Sequence, residues 1–107
     1  MERFDLKAKA EFQADKMAKV DLVASPHMMS GLNCFEPGQG QKVHAHGGAD
    51  KLYYVVEGSG EFEVGESKQQ LSQGELLHVP ADIPHGVVNT SDARLIVLIV
   101  ISPNPFV

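Results

Sequence analysis

Tryptophan is absent from the sequence, and cysteine occurs once, at Cys34. A single thiol cannot form an intramolecular disulfide, so nothing calls for an oxidising compartment and the cytoplasm is the expected location. Basic residues are few: 9 Lys and Arg stand against 14 Asp and Glu, for a formal net charge of −5. With no basic cluster to neutralise phosphates, nucleic acid is excluded as an expected partner. Long apolar runs are also missing. The longest, Leu95 to Ile101, falls far short of the ~18–20 residues that a membrane span needs. The N-terminal stretch MERFDLKAKAEF carries charges where a signal peptide would need an apolar core, so neither a membrane nor a leader is expected. A chain of 107 residues has room for one domain of the usual ~100–150 residues. One domain spanning 1–107 and one site are therefore expected.

What the sequence does have is punctuation. Gly and Pro recur at Pro37-Gly38, Gly58, Gly65, Gly74 and Pro80 to Pro84, with β-favouring segments between them. The spacing predicts strands over 20–24, 27–36, 41–46, 51–57, 60–65, 75–80, 85–89 and 94–102, an all-β chain. In GEFEVG the alternation puts Phe62 and Val64 on one face and Glu61 and Glu63 on the other. RLIVLIVIS does not alternate, which predicts a strand covered on both faces. Either a second subunit or the N-terminal segment can cover its outer side, and a homodimer is the expectation, since a bare apolar face is an association hazard. Residues 1–19 hold good helix formers without an apolar stripe and read as an irregular or partly helical arm before a barrel over 20–102.

His44 and His46 lie two apart in a predicted strand, which aims both imidazoles at the same side of the sheet. His85 follows a rigid corner, Pro80 to Pro84, that fixes where the next strand begins. Two such histidines alone read more readily as partly exposed strand side chains than as ligands. Their setting is more specific. From Gly38 to Gly58 the order is Gly, five residues, His44-x-His46, a short gap, then Gly58; from Gly74 to Asn89 it is Gly, five residues, Pro80, Asp82, His85 and Asn89. These stretches resemble the two signatures of the cupin family, each with one departure: no Glu in the first, and Asp82 in place of Gly in the second. The resemblance covers 38–89. It implies a jelly-roll barrel (a double-stranded β-helix) with a site in its mouth, where His44, His46 and His85 bind one divalent transition metal ion.

The absent Glu is the family's usual fourth ligand, and the count is ambiguous. Seven back from Gly58 lies Lys51; the shorter gap from His46 reaches Asp50. A one-residue shift puts the other side chain on the opposite face, so either Asp50 supplies a carboxylate or Lys51 points inward. An ammonium has no acceptor and would be repelled by a cation, but it could hold an anionic substrate group. Three His ligands fit Fe, Mn, Ni, Cu or Zn. Of adjacent Tyr53 and Tyr54, one ring should enter the barrel and the other cover its outside; with Lys51 they are the candidate catalytic side chains. His78 reads as a half-buried strand histidine, Cys34 as a small buried hydrophobe, and Met28 and Met29 as facing opposite ways. Gly38 and Gly40 read as turn residues at positive φ. Asn89 should bind a neighbouring loop backbone, and Asp82 should keep the turn. The functional expectation is a metal-dependent enzyme of dioxygenase, isomerase or decarboxylase type acting on a small oxygen-rich molecule. The alternative is a non-catalytic small-molecule or metal-binding module.

Overall fold

A computed structural model describes all residues from 1 to 107. One short helix, α1 (Leu6–Lys9), precedes nine strands: β1 (Ala18–Ala24), β2 (Met29–Phe35), β3 (Gly40–His44), β4 (Asp50–Glu57), β5 (Ser59–Val64), β6 (Ser67–Ser72), β7 (Leu76–Val79), β8 (His85–Val88) and β9 (Leu95–Ser102). They form a five-stranded sheet in the order β1-β2-β9-β4-β7 and a four-stranded sheet in the order β3-β8-β5-β6. Every pairing is antiparallel. The two sheets face each other as the halves of a jelly roll.

Alternation decides what lies between them. From β9 the inner side chains are Leu95, Val97, Ile99 and Ile101, which meet Tyr53 and Val55 of β4, Phe35 of β2, and Phe62, Leu71 and Val87 from the opposite sheet. The Tyr53 and Phe62 rings meet edge to face at 5.1 Å, a favoured aromatic geometry. The outer side of β9 is covered from within the chain: Ile96, with Leu32, Cys34 and Ala18, packs under Leu6, Ala10 and Phe12 of the N-terminal arm. Arg94 lies 4.1 Å from the Phe12 ring centroid and pairs with Glu36, which fastens that arm. Cys34 is fully buried there, as a small apolar side chain.

Sequence reasoning missed β6. SKQQLS is polar because it is an edge strand of the smaller sheet, and Leu71 is its one buried side chain. Gly40 also differs from expectation. It begins β3 without positive φ, and its constraint is proximity, since a Cβ there would lie 2.9 Å from the Val87 carbonyl oxygen. Gly38 does take φ 85°, and Gly58 φ 87°. Asn89, fully buried, donates from Nδ2 to the carbonyls of Phe35 (3.1 Å) and Ala93 (2.8 Å), tying the chain before β9 to the end of β2.

Candidate metal centre

The three histidines converge where β3 and β8 leave the barrel. His44 pairs directly with His85 across these strands, although an unbroken ladder from Gln41 and Val87 would place Val43 opposite His85. A bulge between Gln41 and His44 shifts the register by one residue, and that shift exchanges the two faces of a strand. Val43 is thereby turned out, half exposed, and His44 turned in. His46 was expected within the same strand, but β3 ends at His44 and His46 lies in the following loop. That loop is pinned to the corner before His85: Asp82 N–H donates to the His46 carbonyl at 3.2 Å, and Gly48 N–H donates to Asp82 Oδ1 at 3.0 Å. Asp82 has φ 70°, so it keeps the turn of the glycine it replaces and adds a side-chain tie that glycine lacks.

The ring centroids of His44 and His85 are 4.4 Å apart, those of His44 and His46 4.9 Å, and those of His46 and His85 5.5 Å. One potential ligand atom from each lies within 4.8 Å of the others. A metal with ~2.0–2.1 Å bonds to nitrogen needs ligand atoms about 3–3.4 Å apart, so the set must draw together to hold one. The orientation of two rings is already fixed. His44 Nδ1 lies 2.9 Å from the Lys42 carbonyl and His85 Nδ1 2.9 Å from that of Ile83. A carbonyl can only accept, so each Nδ1 carries the proton and each Nε2 presents a bare lone pair, as metal-binding histidines do. His85 is 1% exposed, and its Nε2 is buried without a partner. Burial, then the charge of Lys51, lowers all three imidazole pKa values, that of His85 to about 4, despite the raising effect of the carbonyls on His44 and His85. Neutral imidazole is the ligating form. The residues present therefore fit a divalent metal.

Asp50 does not join this set. Its Oδ2 lies 2.9 Å from His78 Nε2 and its Oδ1 accepts from Ala81 N–H at 3.0 Å, out on the exposed surface. The longer of the two counts is the structural one, because Lys51 pairs with Ile101 and Val79 and shares their inner face. Lys51 is 2% exposed. Its Nζ sits 4.6 Å from the Tyr53 ring centroid, and burial, with a smaller contribution from Lys19, pushes its pKa down to about 8. Tyr53 enters the barrel and Tyr54 lies on the outer face, 37% exposed, so Tyr54 is removed from the site. Burial raises the Tyr53 pKa far above the ordinary phenol value, and its hydroxyl, inside the core, has no partner. His78 is outside and more than half exposed, where a half-buried position was expected. Met29 lines the cavity and Met28 faces out.

The cavity lined by His44, His46 and Lys51 has a volume of about 330 Å³. Met29, Ile99 and Ile101 form an apolar wall, and Phe106 from the C-terminal segment closes one side, its ring 5.6 Å from that of His46.

A jelly roll with three inward histidines at its mouth is a barrel that could hold a metal ion. The cupin domain family profile matches residues 31–101. The chain belongs to the cupin family. A crystal structure of a Thermus thermophilus protein is 43% identical, superposes with a TM-score of 0.93, and is covered over 98% of its length by 96% of this chain. A cupin from Desulfovibrio desulfuricans described as RmlC-like is 28% identical with a TM-score of 0.87, covering 96% of this chain and 97% of that one. An uncharacterised protein of Streptomyces coelicolor is 33% identical over 88% of each chain. No helix here is long and apolar enough to cross a membrane.

Proposed function

We propose that the protein is a metal-dependent enzyme acting on a small oxygen-rich metabolite, with one divalent ion (Fe, Mn, Ni, Cu or Zn) held by His44, His46 and His85. The observation that carries this reading is the buried, unpartnered Nε2 of His85 facing two more histidines. An orphaned buried acceptor costs about 1–3 kcal/mol, and an ion bound at His85 Nε2 would remove that cost. A bound ion would supply Lewis acidity or oxygen activation at positions the three ligands leave open. The chain's own residues orient the imidazoles and line the cavity with Met29, Ile99, Ile101 and Phe106.

Of the candidate catalytic side chains only Lys51 lines the cavity, its pKa lowered by burial to about 8; Tyr53 is held neutral by burial, and Tyr54 and Asp50 face away. One basic group supports dioxygenase, isomerase and decarboxylase chemistry alike, and the same surroundings support a second reading, a non-catalytic module that binds a metabolite through the metal. Turnover separates them. Protein loaded with each of the five ions would be incubated with a panel of small hydroxy and oxo compounds, with oxygen uptake and proton NMR recorded. Turnover that is lost in His85→Ala supports the enzyme; saturable binding without turnover under any ion supports the module. We further propose a cytoplasmic homodimer, joined through the exposed outer-face side chains Tyr54 and Leu76. Light scattering should give twice the chain mass, falling to one in Leu76→Glu.

A further inference from the structure

The mouth of the barrel holds positive charge that the protein does not balance. Lys51 is 2% exposed and takes part in none of the salt bridges. An ammonium is a donor of three hydrogen bonds, and a buried one without acceptors is strongly unfavourable. Lys19 and Lys42 line the same cavity. The one carboxylate in that lining, Asp21, is exposed and pairs with none of these lysines. A divalent ion on three neutral imidazoles would add further positive charge. Lys51 moreover occupies the position where the first cupin signature has its carboxylate, so charge is reversed at the point where a protein anion is expected.

We propose that the missing anion is the ligand's own carboxylate, and that the site takes a small 2-hydroxy or 2-oxo carboxylate. The carboxylate sits on Lys51 Nζ while the neighbouring hydroxyl or oxo oxygen faces the three histidines. A cavity of about 330 Å³ lies at the small end of ligand pockets, and the wall of Met29, Ile99 and Ile101 accepts a short carbon skeleton. The assignment rests on the three-histidine metal reading, and Lys51 is a binding residue in it.

Glycolate and its uncharged analogue ethylene glycol are the probes, titrated calorimetrically into zinc-loaded protein whose metal content is measured on the same sample. Wild type should prefer glycolate about tenfold or more, the scale of one charge-assisted hydrogen bond. Lys51→Met should bind glycolate about tenfold or more weakly than wild type does, with ethylene glycol binding unchanged, while keeping full metal content and an unchanged circular dichroism spectrum. Lys51→Glu, which restores the family's carboxylate, should hold zinc more tightly and reject glycolate. Equal binding of the two probes by wild type, or undiminished glycolate binding by Lys51→Met, would overturn the proposal. So would loss of zinc from Lys51→Met, since Lys51 would then serve the metal rather than the ligand. If wild type takes up no zinc, the metal reading fails separately. Glycolate binding to that metal-free protein would then support the role of Lys51 if Lys51→Met abolishes it, and overturn it if not.

Discussion

Replacing Lys51 by Met should make the metal-free protein more stable, and the expected gain follows from its protonation. The folded-state pKa of Lys51 is pushed down to about 8, against about 10.4 for an unfolded lysine. At pH 7 both states are protonated, so the folded chain carries the full cost of a buried charge. Between about pH 8 and 10.4 the unfolded state binds more protons than the folded one, so the stability of wild type rises with pH across that window. The gap of roughly 2.4 units corresponds to about 3 kcal/mol. Met fills much of the same volume without a charge. Urea titrations followed by circular dichroism should show Lys51→Met more stable than wild type by up to about 3 kcal/mol at pH 7. A domain of this size should melt about 10 °C higher or more, and the advantage should shrink as pH approaches 10. A variant no more stable than wild type at pH 7, or a difference independent of pH, would refute the claim that Lys51 is an uncompensated buried cation.

Asp82→Gly should keep the positive-φ turn but lose the bond to Gly48 N–H, loosening the His46 loop. Outer groups that orient ligands are worth about tenfold or more in metal affinity, so competition with a chelator should show weaker binding and a nearly unchanged melting temperature. Gly58→Ala should destabilise the fold by about 2 kcal/mol or more, because φ is 87° and a Cβ would collide with the Arg94 carbonyl. Chemical denaturation measures it, and a change below about 0.5 kcal/mol, the range of neutral surface substitutions, would contradict that reading of the signature glycine.

The all-β class was legible from local rules, turn residues between segments and period-two alternation, whereas the jelly roll and the set His44, His46 and His85 were implied by the resemblance to the two cupin signatures. The facing of Asp50 and Lys51 was not. A strand's side chains exchange faces with a one-residue slip, and only the pairing of Lys51 with Ile101 and Val79 settles it. The bulge that turns His44 inward is equally silent in QKVHAH, where alternation says only that His44 and His46 share a side. SKQQLS hid β6 because an edge strand with one buried residue has no apolar pattern to read. The cover over Ile96 was ambiguous between the arm and a partner, since Leu6, Ala10 and Phe12 are too sparse to mark a stripe in sequence. Asp82 was read only as a turn residue. Its signal lay in being an acid where the family signature has glycine, a replacement that makes sense once a side-chain acceptor is needed.

The central claim is that His44, His46 and His85 hold one metal ion. Elemental analysis by mass spectrometry should be made on purified wild type and the His44→Ala/His46→Ala variant, each reconstituted with iron, manganese, nickel, copper and zinc and then desalted. Wild type should hold close to one equivalent of one of these ions and the variant almost none, with both proteins folded. Equal metal content in the two, or none in wild type under any ion, would contradict it.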